Sequence, residues 1–173
     1  MSYQATGLGR NLAVYTSLFF GLFLVMQAIY QGARDTQAAH FLINDMTVMP
    51  SALIISWITP DEGVSAQGHR LVSRHVRMSV LNGCEGTEVI LLLGAALFAL
   101  RMGWRRKLLG IVAGSLLVYT ANQLRIVSLY YSLRIDHSLF EALHGYIAPL
   151  AVVTVAMLFF LYWISHAGPD HTH

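Results

Sequence analysis

Cysteine is nearly absent: Cys84 is the only one in 173 residues, which rules out an internal disulfide and any multi-thiolate zinc or iron–sulfur centre. A thiol outside the cytoplasm therefore has to be free. Charge is scarce as well, at 12% of residues where a soluble domain carries about 25%. The 11 cations and 9 acids leave a net charge of +2, with no basic stripe and no acidic tail, which argues against a nucleic-acid partner. Several motifs are missing. There is no H-E-x-x-H for a zincin and no G-x-S-x-G for a serine nucleophile elbow. No Asp lies in the spans assigned below to make an intramembrane carboxylate pair, and no histidine pair sits inside one at a spacing suited to haem. No cofactor and no metal is expected, and cysteine remains as the nucleophile.

What is present is hydrophobic: 55% of residues are apolar and the mean hydropathy is +0.55, values that belong in a membrane. The expected fold is an all-α polytopic transmembrane bundle, a single integral membrane domain over 1–173. The uncharged run 12–30 is long enough to cross ~30 Å of hydrocarbon at ~1.5 Å per residue and lacks a clear small-x-small cleavage site, so it reads as an uncleaved anchor. Further spans are expected at 84–104, 108–131 and 145–164, which makes four. The stretch 41–59 is apolar but interrupted by Asp45 and Pro50, which suits an interfacial helix; a fifth span results if it crosses. Within the loop 31–83, Pro60-Asp61-Glu62-Gly63 is a turn signal, and partly alternating runs between Val64 and Leu81 predict a small hairpin outside the bilayer.

Arg101, Arg105, Arg106 and Lys107 crowd the link between the second and third spans and mark it as cytoplasmic. The loop 31–83 then lies outside, although it carries Arg34, Arg70, Arg74 and Arg77. Measured from that link along straight helices, Cys84, Arg125 and His144 reach one outer depth of the bilayer on three different spans. Ionisable groups at that depth face a bundle interior or a wet cavity, where a functional reading is the default. Cys84 and His144 each open a span, where a helix N-terminus favours thiolate and disfavours imidazolium, while Glu85 and Glu88 oppose the first effect. Arg125 is expected near the C-terminal end of its span, with Asn122 on the same face three residues earlier, placed to orient Arg125 or bind a substrate carbonyl.

Each residue also has an ordinary structural reading. Cys84 serves as a small apolar filler, Arg125 as a snorkelling cation and His144 as a helix cap. His166, His171 and His173 read as a solvated tail, and His40, His69, His75 and His137 lie on polar segments with no role assigned.

Three motifs, Asn82-Gly83-Cys84-Glu85-Gly86 opening a span, Asn122-Gln123-Leu124-Arg125-Ile126 near the end of the next, and Phe140-Glu141-Ala142-Leu143-His144-Gly145 before the last, resemble the exosortase/archaeosortase family of integral membrane cysteine enzymes. The resemblance covers about 64–164, and the short chain is similar to the compact exosortase H branch. It implies cleavage of a C-terminal sorting signal, made of a motif, a hydrophobic helix and a basic cluster, on exported proteins in the inner (cytoplasmic) membrane, with the active site facing outside. Cys84 matches the family's nucleophile, Arg125 its essential arginine and His144 its histidine. The implied chemistry is thiolate attack and a thioester resolved by water or by an amine of an envelope acceptor. Glu85 departs from the Ser that many members carry there, and the longer members have further N-terminal spans. The alternative reading is a non-catalytic membrane assembly or export partner, in contact with lipid in either case.

Overall fold

The apolar runs fold into helices whose lengths decide where everything else lies. The structure is a computed structural model describing residues 3–166, with side chains from Leu12 onward; the tail with His171 and His173 lies outside the described residues. In order come α1 (Tyr3–Gly32), α2 (Gln37–Ile58), β1 (Ser65–Gln67), β2 (Arg70–Val72), β3 (Arg77–Ser79), α3 (Thr87–Ala99), α4 (Trp104–Ile135) and α5 (His137–His166). The protein is mostly helical. Three segments, Leu12–Gly32, Gln37–Ile58 and His137–His166, are long and apolar enough to cross a membrane, rather than the four or five expected from the sequence.

The differences have local causes. The expected span 84–104 contains only 13 helical residues, ~20 Å at ~1.5 Å per residue and short of the ~30 Å hydrocarbon core. Gly86, with φ +80°, sets the start of α3, and extended Leu100 ends it. The 108–131 segment belongs to a 32-residue helix, ~48 Å long, that overruns it at both ends. The segment 145–164 is part of α5, which starts eight residues earlier because Asp136 caps it, accepting from the Ser138 N–H at 2.9 Å and the Ser138 hydroxyl at 2.8 Å.

The segment 41–59, expected as an interfacial helix, lies within a continuous helix that Pro50 does not break. Pro50 has no N–H to offer the carbonyl of Met46, four residues back. That carbonyl instead accepts from Tyr119 Oη at 2.9 Å and from Gln123 Nε2 at 3.2 Å, both on α4. A π turn at Asn44–Val48 precedes the proline, and Asp45 is exposed. Ser51 donates to Gln123 Oε1 at 2.6 Å, and the hydroxyls of Thr59 and Tyr131 meet at 2.9 Å, so α2 follows the C-terminal half of α4 in parallel.

The expected hairpin is a three-stranded antiparallel sheet in the order β1-β2-β3, with Ser65 opposite Val72 and Leu71 opposite Met78. Alternation turns Leu71 and Met78 inward, where they join Val48, Ile55, Ile126 and Tyr130 in a core beneath the sheet. A second core of Leu93, Leu97, Val118, Val152 and Ala156 joins α3, α4 and α5. There, Gly110 lies under Trp163 and Gly114 under Phe159 and Leu93, and the lack of a side chain lets the helices approach closely. Gln27 and Arg34 reach across from α1 and its C-terminal turn to Glu88 at 3.1 and 3.3 Å. The cationic link and the Cys84 loop occupy opposite ends of the α3–α4 hairpin: Lys107 Nζ donates to the Phe98 carbonyl at 2.8 Å, and Asn122 meets Cys84 at the other end.

Candidate functional site

Cys84 lies in a tight loop between β3 and α3. Two glycines make the loop: Gly83 at φ +93° and Gly86 at φ +80°, both in backbone conformations that side chains disfavour. The Cys84 N–H donates to the Leu81 carbonyl at 3.0 Å, and Gly83 N–H donates to the Glu85 carboxylate at 2.6 Å. The sequence expectation that Cys84 opens a helix is therefore corrected. The first residue of α3 is Thr87, and left-handed Gly86 separates the cysteine from it.

The neighbouring helix fixes this loop. Asn122, fully buried on α4, donates from Nδ2 to the Cys84 carbonyl at 3.0 Å. Its side chain also closes over Gly86, where a Cβ would lie 3.1 Å from Asn122 Cγ. Asn122 thus binds the cysteine's own backbone, a use of its amide that differs from the expected contact with Arg125 or a substrate carbonyl. Arg125 follows about one helical turn later, half-buried, with Nε buried and making no hydrogen bond among the described residues. It lies well inside α4, ten residues from the end at Ile135, which corrects its expected place near a helix C-terminus.

Glu85 was seen from the sequence only as an unfavourable neighbour of the thiol. In the fold it is buried in the loop ahead of α3, and burial pushes its carboxyl above the ordinary glutamate value. Hydrogen bonds from its own N–H and that of Gly83 pull the other way, as does the charge of Arg125. A carboxylate two residues after a glycine, with another glycine following, was the available sign of this turn.

His144 is placed differently from expectation. It does not begin a helix but sits in a π turn, Leu143–Ile147, inside α5, with its side chain exposed. Its ring stacks on Phe140 with centroids 5.3 Å apart and planes 6° from parallel. Phe140 in turn borders the core beneath the sheet, as the half-buried Cys84 does. Asn122 thus holds the loop of Cys84, with Arg125 one turn further along the same helix, while among the described residues no hydrogen bond joins His144 to Cys84 or Arg125.

The sequence also gave no warning of a clasp further out. Buried Glu62 accepts from the hydroxyl of Tyr130 and pairs with Arg134 at 2.6 Å, tying the turn before the sheet to the end of α4. An apolar groove of about 460 Å³ runs between α2, α3 and α4, past Met46, Ile90, Val112 and Leu116, and ends at Glu85 and Thr87.

No protein-family model matches the chain, and no curated protein and no solved structure matches it.

Proposed function

We propose that the protein is a membrane-embedded cysteine protease or transpeptidase that cleaves the C-terminal sorting signal of exported proteins through a thioester. The observation that carries this reading is the Asn122 to Cys84 hydrogen bond, which joins the loop of one motif to the helix of another, with Arg125 a turn further along that helix and its Nε without a hydrogen bond among the described residues. In the mechanism that fits, the Cys84 thiolate attacks the scissile carbonyl and Arg125 donates to the developing oxyanion. His144 takes a proton from the thiol and returns it to the leaving amine as the C–N bond breaks. Water or an amine of an envelope acceptor then attacks the thioester, and the thiolate departs.

The apolar groove ending at Glu85 supports a substrate whose hydrophobic helix lies among the spans and whose outer end unwinds at the loop. Apolar contacts remote from the bond then position it. The cationic link at the opposite end of the hairpin supports an inner (cytoplasmic) membrane location with the site outside.

The test is co-expression with a tagged protein bearing a C-terminal motif, an apolar helix and a basic cluster, comparing wild type with Cys84→Ser. A hydroxylamine-sensitive adduct on the wild type alone is expected. Unchanged substrate mass with several tails, both proteins being folded, would leave a non-catalytic assembly or export partner as the better account.

A further inference from the structure

At the end of the α3–α4 hairpin away from Cys84, a cavity of about 600 Å³ opens between α1 and the link that joins α3 to α4. Val14, Leu18 and Leu100 give it apolar surface, and Arg101 and Lys107 bring charge. Both cationic heads are located by contacts with other residues of the same lining. The Arg101 guanidinium carbon lies 6.0 Å from the centre of the Tyr15 ring, and Lys107 Nζ lies 5.9 Å from that of Phe98 while donating to the Phe98 carbonyl at 2.8 Å. Arg101 is exposed, Lys107 is half-buried, and the hydrogen bond of Lys107 is itself exposed.

Among the described residues no acid pairs with either cation, and the sequence explains why. It has no Asp or Glu in 1–34, 89–135 or 142–169, so every acid among the described residues lies in 35–88 or at Asp136 and Glu141. Asp170, in the tail outside the described residues, can answer one charge of the four on Arg101, Arg105, Arg106 and Lys107. Depth adds a second argument. Trp163, one turn before the end of α5, lies over Gly110, and Lys107 is one turn from Gly110 on α4. Because α5 is long and apolar enough to cross a membrane, its tryptophan-bearing last turn and these cations share the level where hydrocarbon gives way to headgroups. Unmatched cations at that level, beside exposed apolar side chains, call for an anion on an apolar body. A phospholipid of net negative charge has both, whereas a zwitterionic one brings a further cation.

We infer that this cavity binds the phosphodiester of an anionic phospholipid, with Arg101 and Lys107 donating to its non-bridging oxygens and its acyl chains lying on Val14 and Leu18. The planar guanidinium can grip two oxygens at once, and the ammonium adds a point charge. The inference goes beyond the proposed function and needs only that the protein lies in a membrane.

The experiment is native mass spectrometry of the full chain in detergent with an equimolar mixture of dioleoylphosphatidylglycerol and dioleoylphosphatidylcholine. The wild type should retain phosphatidylglycerol in preference to phosphatidylcholine, a comparison that depends on no variant's folding. Arg101→Gln should weaken that retention about tenfold, the loss of one charge-assisted hydrogen bond. Arg105→Gln removes the same charge from the link, but from a residue outside the cavity lining, and should change retention by no more than about twofold. An equal fall in the two variants, or equal retention of the two lipids by the wild type, would overturn the inference and leave the link a diffuse basic surface. Glycerophosphoglycerol, the same headgroup without acyl chains, should not displace the lipid when added in excess. Displacement would make a soluble phosphodiester the occupant and overturn the assignment to a lipid.

Discussion

Asn122 Nδ2 lies 3.0 Å from the carbonyl oxygen of Cys84, so the backbone of the only cysteine hangs from a helix that belongs to a different motif. Asn122→Ala leaves that carbonyl without its donor and opens space over Gly86. A loss of ~1–3 kcal/mol is expected from an unpaired buried acceptor. Thermal unfolding in detergent checks the size, and faster alkylation of Cys84 by iodoacetamide checks that the loop has loosened.

Gly83 and Gly86 both hold left-handed backbone, yet they differ in surroundings. A Cβ on Gly83 meets nothing within 4 Å, whereas one on Gly86 presses on Asn122. Gly83→Ala should therefore cost only the left-handed penalty of ~1–2 kcal/mol. Gly86→Ala should lower the melting temperature further, and equal melting temperatures for the two variants would contradict the close packing of Asn122.

Glu62 is buried between Tyr130 and Arg134, and among the described residues its charge is matched by Arg134. Glu62→Gln keeps a hydrogen-bond partner for Tyr130 but leaves the cation unanswered. Because Arg134 is 44% exposed, water compensates it in part, and the expected loss is ~1 kcal/mol, the upper end for a solvent-exposed ion pair. Proteolysis of the β1–β3 segment, which the clasp holds against α4, should also quicken.

Asp136 offers a pH-dependent test. Hydrogen bonds from the Ser138 N–H and then from its hydroxyl hold the Asp136 carboxyl below the ordinary value of 3.8. A depressed folded-state pKa means that the cap's contribution is complete above the ordinary value and is lost as pH falls through the lower one. The Ser138 amide resonance should therefore titrate with a midpoint below 3.8, and the shift should vanish in Asp136→Asn.

Much of the helix content was legible because uncharged runs of membrane length have few other ways to satisfy their backbone. The small sheet was legible from the Pro60–Gly63 turn and the alternation around Gly68. What escaped was decided by single residues. Pro50 read as a break because the helix seemed to lose a hydrogen bond there, and only the fold supplies Tyr119 and Gln123 to replace it. Cys84 read as a helix start because apolar residues follow it, whereas two left-handed glycines hold it in a loop. The expected meeting of Cys84 and Arg125 rested on counting residues from the cationic link along straight antiparallel helices, and what the fold shows at that end of the α3–α4 hairpin is Asn122 in contact with the Cys84 loop. The same count could not foresee that α5 begins at His137 and carries His144 on its exposed side.

The π turn that contains His144 has a consequence of its own. A π turn holds one residue more than the α-helical turn it replaces, so the parts of α5 on either side are out of phase with an uninterrupted helix. At 3.6 residues per turn, deleting one residue between Leu143 and Ile147 swings the Phe140 face by about 100° relative to the face that covers Gly110 and Gly114. The direction in which the imidazole looks is thus set by a count of residues, and its stacking on Phe140 only steadies an aim already chosen.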